Sequence, residues 1–375
     1  MSFSLPIHRS WKAERLLAAL LCILAFSSSA YSAEGEDGLD WHRIAPTDVA
    51  GKGWSDTAAP FDRLPGKAER TVRPEVWDLS RHSSGLHADF VTDAKSILAR
   101  WTLTSKELAS KEMSATGISG VDLYVHQQGN WCFLGAGCVV QFPTNTVQLT
   151  TGLNGVEAEY RFYFPVYNGV SSVEIGVPKG ATFRITHPDD GKRAPVVIYG
   201  TSITQGGCVS RPGMSYTSIL GRRLGVPIVN LGFAGNAKAE VEVAELLAEL
   251  KASVFVLDPL ANLSPEQVGE RLPRFVEILR IKHPDTPILL VETPLFPDMG
   301  FSSPRAERVN SSNNQLRKVY EARRAAGDKH IQLVPACDLT VENGEGTVEG
   351  LHPNDLGMLQ LASSIEPSLR AALEQ

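Results

Sequence analysis

The sequence predicts two architectures in series: an all-β sandwich, then an α/β domain in three layers, α/β/α, around a parallel sheet. Three observations carry this. Between Trp41 and Ile185 apolar residues alternate with polar ones in short runs, as in Ile97, Ala99, Trp101, Leu103, in Val156, Ala158, Tyr160, Phe162, Phe164, and in Val173, Ile175, Val177. Period two marks strands with one buried face, and Gly, Asn and Pro punctuate them with no convincing long helix between. From Val196 the pattern changes. Apolar runs at 196–199, 226–231, 253–257, 287–291 and 331–334 alternate with amphipathic stretches near 215–224, 238–250, 265–282, 306–326 and 354–373, which implies parallel strands covered by helices on both faces. A polar stretch, Thr186-His-Pro-Asp-Asp-Gly-Lys-Arg-Ala-Pro195, lies between the two patterns.

Taken in order, residues 1–33 read as a secretory signal peptide. His8, Arg9, Lys12 and Arg15 precede an apolar run from Leu16 to Phe26, and small residues follow through Ala33. That run is shorter than the ~20 residues a membrane span needs, so cleavage after Ala30 or Ala33 is expected. Cys22 follows Leu21 rather than a small residue, which argues against lipidation. The expected location is periplasmic or secreted, with no stable membrane insertion after cleavage. Export leaves Cys132, Cys138, Cys208 and Cys337 in an oxidising compartment. Four cysteines allow three pairings, and free, buried thiols are as reasonable as bridges.

Residues 38–190 form the expected sandwich. Its aromatic residues, among them Trp77, Trp101, Tyr124, Trp131, Tyr160, Tyr163 and Tyr167, suit either a core or a sugar-stacking face, and their alternation with the apolar set favours the core. Residues 194–375 form the expected α/β domain, where Pro273 and Pro367 should kink or shorten their helices. The chain's 375 residues suit two domains. A net charge of −6 supplies no basic stripe for nucleic acid. The nine His are scattered, with no H-E-x-x-H or comparable spacing, so no metal or other cofactor is expected.

The chemistry concentrates in loops after the predicted strands. The run Val196-Val-Ile-Tyr-Gly200 stops at a turn, and an amphipathic pattern resumes near Ser215. Ser202 therefore sits at a strand end, in the crevice where open α/β sheets bind ligands. Neither common motif fits. G-x-S-x-G fails because Thr204 stands where glycine is needed, and the phosphate-binding loop fails because no lysine follows Gly207. A serine in such a turn ordinarily serves only its own backbone. Further on, Val229-Asn-Leu-Gly-Phe-Ala-Gly-Asn236 and Val256-Leu-Asp-Pro-Leu-Ala-Asn262 offer the Gly232 N–H and the Asn262 amide, donors that suit an oxyanion. In Thr347-Val-Glu-Gly-Leu-His352, Glu349 and His352 are three apart, close enough for a carboxylate to orient an imidazole. Arg211 either lines the pocket or pairs on the surface, while Asp258 and Glu292 end their strands and suit a supporting role.

The order Ser202, Gly232, Asn262, His352 resembles the four blocks of the SGNH (GDSL-like) hydrolases, with Gly200-Thr-Ser-Ile-Thr204 as the first block and Thr201 in place of its usual Asp. Thr204-Gln-Gly-Gly-Cys-Val-Ser-Arg-Pro-Gly213 and Gly120-Val-Asp-Leu-Tyr124 resemble more narrowly the bacterial subgroup in which a GxDLY-type β-domain precedes the hydrolase domain. The resemblance spans roughly residues 40–375. It implies a flavodoxin-like α/β/α hydrolase domain after a jelly-roll-like sandwich. It also implies an exported serine esterase acting on short acyl esters, with acetylated carbohydrate the favoured substrate. Ser202 would be the nucleophile, His352 the base, Glu349 the triad acid, and Ser202, Gly232 and Asn262 the oxyanion hole. Glu349 departs from the commoner Asp-x-x-His; Asp355 or a backbone carbonyl are alternatives for orienting His352. An acyltransferase with the same site is one other reading. A catalytically silent glycan-binding protein is another, against which the complete Ser, Gly, Asn and His positions argue.

Overall fold

The computed structural model describes residues 38–186, 193–337 and 344–375. The expected signal at 1–33 and the middle of the polar stretch at 187–192 lie outside them. Ten strands come first: β1 (Leu39–Arg43), β2 (Val49–Ala50), β3 (His87–Thr92), β4 (Ser96–Leu103), β5 (Val121–Gln127), β6 (Asn130–Gly137), β7 (Thr144–Thr151), β8 (Ala158–Tyr163), β9 (Val170–Pro178) and β10 (Phe183–Thr186). They form two antiparallel sheets, one in the order β1-β9-β4-β7, the other in the order β10-β3-β8-β5-β6 with β2 beside β3. The period-two residues of β4 and β9 face inward: Ile97, Ala99, Trp101, Val173, Ile175 and Val177 are all buried. Trp101, Tyr124, Tyr160 and Tyr163 are core residues, so most of the aromatic set is interior. The alternation overreaches at Val156, which is 65% exposed ahead of β8. Its N–H donates to Asn154 Oδ1 at 3.0 Å in a side-chain-closed turn.

Helices α1 (Pro74–Ser80) and α2 (Ala115–Ile118) are short insertions in this region. After it the chain alternates β11 (Val196–Gly200), α3 (Ser202–Gln205), α4 (Tyr216–Leu224), β12 (Ile228–Gly232), α5 (Val241–Leu247), β13 (Val254–Asp258), α6 (Pro265–Lys282), β14 (Ile288–Val291), α7 (Ser303–Ala325), β15 (Ile331–Val334) and α8 (Asp355–Leu373). The five strands are parallel in the order β12-β11-β13-β14-β15. Successive residues of a strand point to opposite faces. Val197 and Tyr199 accordingly join one core with α5, α6 and α7, whereas Val196 and Ile198 join another with α4 and α8. Pro273 and Pro367 do not shorten their helices, which run 18 and 19 residues. Buried side chains on both sides of each proline, such as Val268 and Val276 in α6, hold the axis against the lost hydrogen bond.

The first half of the chain also reaches into the parallel-sheet core. Leu64, Ala68, Val72 and Val76 pack with Val229, Leu231, Val243 and Leu247, and Val166 packs on the opposite face. Arg63 is 2% exposed. Its guanidinium donates to the Asn230 and Gly232 carbonyls (3.1 and 2.8 Å) and to those of His82 and Leu79 (2.8 and 2.6 Å). By contacts, Asp40–Gln375 is a single compact unit.

A prediction follows from those shared side chains. Each aliphatic side chain taken from water contributes roughly 1.5–3 kcal/mol, so a fragment beginning at Ala194 loses Leu64, Val72 and Val76 from its core and the Arg63 fork from β12. It is expected to bind a hydrophobic dye and to lack native near-ultraviolet circular dichroism. A fragment with a native signal and cooperative unfolding would show that the sheet does not need the first half.

Candidate active site

The site begins with strand register. Gly200 lies opposite both Gly232 and Asp258, so β11, β12 and β13 end level at the carboxyl edge of the sheet. The one-turn helix α3 is pressed onto those ends. A Cβ on Gly200 would collide with Thr204 Oγ1, and one on Gly232 would collide with the Gln205 backbone nitrogen. Only glycine permits the approach at either position. Thr201 caps α3, its hydroxyl accepting from Ile203 N–H at 3.3 Å. Ser202 opens the helix, where backbone N–H groups have no partner within it. Beneath it, Thr204 Oγ1 and Tyr216 OH each donate to Asp258 Oδ2 at 3.0 Å, and burial raises the Asp258 carboxyl to about 7. Asp258 thus ties α3 to α4. Glu292 does not reach the cleft, since Arg317 (2.5 and 3.0 Å) and the Ala336 N–H (3.0 Å) occupy it.

The other wall is the loop before α8. The Val348 N–H donates to the His352 carbonyl at 2.9 Å, and Gly350 sits at φ +84°, so the chain doubles back on itself. Glu349 folds inward and accepts from the Leu351 N–H (3.0 Å), the His352 N–H (3.1 Å) and His352 Nδ1. Burial pulls this carboxyl up, but the bonds from the His352 ring and the two N–H groups outweigh it and hold it below the ordinary carboxylate range. On the far side of the ring, His352 Nε2 is 2.9 Å from Ser202 Oγ. Asp355 is engaged elsewhere, accepting from the Ser210 N–H (2.9 Å) and hydroxyl (2.5 Å).

Two expected positions differ. The Gly232 N–H is already donated to Asn230 Oδ1 at 2.9 Å, so the glycine serves close approach to α3 rather than the cleft. The N–H groups beside Asn262 belong instead to Asn236 and Gly235, at 3.1 and 3.2 Å from its amide. Turned with Oδ1 toward them, Asn262 accepts both; turned the other way, its amide joins the Gly235 N–H as a donor, the Asn236 N–H being given to the Phe233 carbonyl at 2.9 Å. The signal in the sequence was the second glycine of Leu231-Gly-Phe-Ala-Gly235. Arg211 likewise is not at the cleft: it pairs with Asp122 (2.8 Å), donates to Tyr124 OH (2.5 Å) and lies 3.7 Å from the Phe133 ring centre. Asp122 and Tyr124 come from β5, within Gly120-Val-Asp-Leu-Tyr124, and Phe133 from its neighbour β6, so the arginine joins the two halves of the chain.

A cleft of about 380 Å³ opens beside Ser202, His352 and Asn262, with Leu260, Phe296 and Leu351 in its walls. Sequence reading missed this lining, because it comes from loops and from α7, far apart in the chain. Cys132, Cys138 and Cys208 are free thiols, the first two exposed, and Cys337 is buried. Among the described residues no group of three or more His, Cys, Asp or Glu is placed to hold a metal ion. No described helix is long and apolar enough to cross a membrane.

Asp258 yields a pH prediction. A carboxyl raised to about 7 in the folded chain binds its proton more tightly there than in the unfolded chain. Its contribution is complete below about pH 4 and is lost as pH rises toward 7, with a slope of at most about 1.4 kcal/mol per pH unit. In Asp258→Asn this fall between pH 4 and 7 is expected to flatten in urea unfolding curves. An unchanged slope would mean that Asp258 is ionised throughout.

Known proteins resemble this chain in both of its halves. The family model of the GDSL-like lipase/acylhydrolase family matches residues 193–370, and that for the N-terminus of SGNH hydrolase-type esterases matches residues 39–183. A crystal structure of a protein assigned as a GDSL-like lipase from Bacteroides ovatus is 33% identical, covers 89% of this chain and 98% of its own, and superposes with a TM-score of 0.83. A salicylyl-acyltransferase from a tetracycline biosynthetic pathway is 20% identical over 89% of this chain and 94% of its own (TM-score 0.66). A family two carbohydrate esterase from Clostridium thermocellum, in complex with cellohexaose, is 13% identical over 78% of this chain and 93% of its own (TM-score 0.54). The last two speak for the fold alone. Among curated proteins none matches. The chain belongs to the GDSL-like lipase/acylhydrolase family, with an SGNH-type esterase N-terminal region ahead of its hydrolase fold.

Proposed function

We propose that the protein is an exported serine esterase that removes short acyl groups, acetyl first among them, from a carbohydrate or similar alcohol. The observation that carries this reading is the unbroken line from Ser202 Oγ through the two His352 ring nitrogens to the Glu349 carboxylate, at the edge of a cleft large enough for an ester. Ser202 Oγ attacks the ester carbonyl carbon while His352 Nε2 takes its proton. The charge on the carbonyl oxygen is met by the Ser202 and Gly235 N–H groups and by the Asn262 amide turned to donate. Collapse breaks the bond to the alcohol, which leaves with the proton from His352. Water, deprotonated by the same imidazole, then attacks acyl-Ser202 and releases the carboxylic acid. Glu349 fixes the tautomer and stabilises the imidazolium.

Carbohydrate as the alcohol is supported by the likeness in fold to a carbohydrate esterase. Export rests on residues 1–33, and intact mass of exported protein is expected to begin near Tyr31 or Glu34.

Ser202→Ala is expected to abolish turnover of an aryl acetate and labelling by a fluorophosphonate; a labelled mutant would place the nucleophile elsewhere. Glu349→Gln, with folding checked by circular dichroism, should lower kcat by a large factor, up to ~10⁴ when the amide imposes the wrong tautomer. A loss below about tenfold, or a larger loss in Asp355→Asn, rejects Glu349 as the triad acid. If an added sugar alcohol captures the acyl group faster than acid is released, the same site serves transfer rather than hydrolysis.

A further inference from the structure

Among the described residues, the cleft beside Ser202 is lined by two arginines, Arg305 and Arg308, and by no aspartate or glutamate. This holds although the chain has 42 Asp and Glu against 36 Lys and Arg. The two arginines are three apart on α7 and so share a helix face, but their surroundings differ. Arg305 is neutralised and braced: Nε lies 2.8 Å from Asp298 Oδ2, and Nη1 donates to the Gly350 carbonyl at 3.0 Å. It thereby steadies the loop that carries His352. Arg308 has no carboxylate partner among the described residues. Its guanidinium donates from Nη2 to the Ala261 carbonyl at 3.2 Å, which leaves the rest of the fork unused. Ala261 is bonded to Asn262, so this charge stands next to the residue whose amide faces the Gly235 N–H.

A guanidinium stays charged throughout the working pH range and offers five N–H donors in a planar fork. The group that matches it in shape and charge is a carboxylate, bound through two parallel hydrogen bonds. Arginines at exposed sites are commonly left to water. Arg308 is exposed too, but the unpaired cation lines the same cleft as Ser202 and His352 and faces whatever binds there. From this we infer that Arg308 recognises an anion, and that the ester the protein acts on carries a carboxylate near the reacting acyl group. The inference rests on Ser202 being the nucleophile. The carboxylate belongs either to the acyl part, as in a half-ester of a dicarboxylic acid, or to the alcohol part, as in a uronic acid.

Two matched pairs of esters separate these sources. One pair is 4-nitrophenyl hemisuccinate and its methyl ester, read by nitrophenol release. The other is an O-acetylated methyl glucuronide and its carboxyl methyl ester, read by acetate release. The full chain is expected to favour the acid over its neutral partner by about tenfold or more in kcat/KM within one pair, chiefly through KM, as a charge-assisted hydrogen bond provides. That pair identifies the side that carries the charge. The ratio should shrink with added sodium chloride, fall toward one in Arg308→Gln, and invert in Arg308→Glu, while Arg308→Lys keeps part of it. Equal turnover of acid and neutral partner in both pairs, or a preference that persists in Arg308→Gln, overturns the assignment. Fluorophosphonate labelling of Ser202 separates the two readings. An unlabelled protein inactive on all four esters rejects the nucleophile and the anion site with it, whereas a labelled, active protein blind to charge rejects the anion site alone.

Discussion

The close contact between α3 and the ends of two parallel strands is the constraint on which the site depends. Side chains on Gly200 or Gly232 would collide with Thr204 and Gln205, so the sheet edge and the helix meet backbone to backbone. The contact is then pinned from several directions. Asn230 Nδ2 donates to the Thr204 carbonyl at 2.7 Å and to Thr217 Oγ1 at 2.9 Å. Asp258 holds Thr204 and Tyr216 from below. Arg63 ties the Asn230 and Gly232 carbonyls from the other side. A serine at the head of so short a helix has little freedom left, and its hydroxyl meets His352. Such preorganisation is what lowers a barrier that would otherwise include the ordering of the reacting groups.

The first half of the chain takes part in the same arrangement. Tyr167 OH donates to the Ser202 carbonyl at 3.1 Å, and Ser84 Oγ donates to the Gln205 carbonyl at 2.5 Å. Gln205 returns the contact through the Val166 carbonyl at 3.2 Å, while its own Oε1 accepts from Ala234 N–H at 3.1 Å. Asp122 is fully enclosed. Burial pushes its carboxyl up, and the Arg211 guanidinium and the Gly213 N–H pull against that shift. The pair is therefore a buried one whose partners depend on each other, and breaking it costs more than an exposed pair would. The sandwich region thus holds the turn after Ser202 in place.

The longer carboxylate at Glu349 is accommodated by the loop rather than by the histidine. With Gly350 in a left-handed conformation, the chain turns tightly enough for the side chain to bend back over its own backbone. The Leu351 and His352 N–H groups then fix one oxygen while the other meets the ring. The extra methylene is absorbed in that bend, and the carboxylate gains backbone donors that keep it ionised beside the imidazole.

Much of this was legible from residue order. Period-two runs in the first half and solid apolar runs between amphipathic stretches in the second mark the two architectures, because burial on one face or on two leaves different traces. Ser202, Asn262, Glu349 and His352 stand out by residue type at strand ends. The partner of Arg211 was not legible, because it depends on a contact across the fold with Asp122 on a sandwich strand; that of the Gly232 N–H is local, the side chain of Asn230 two residues back, and is set by how that side chain turns rather than by any pattern of residue types. Nor does the sequence show that Leu64 and Val76 complete the core of a sheet that begins more than a hundred residues later. Local patterning reports which face of an element is buried. What it is buried against is decided only when the chain closes on itself.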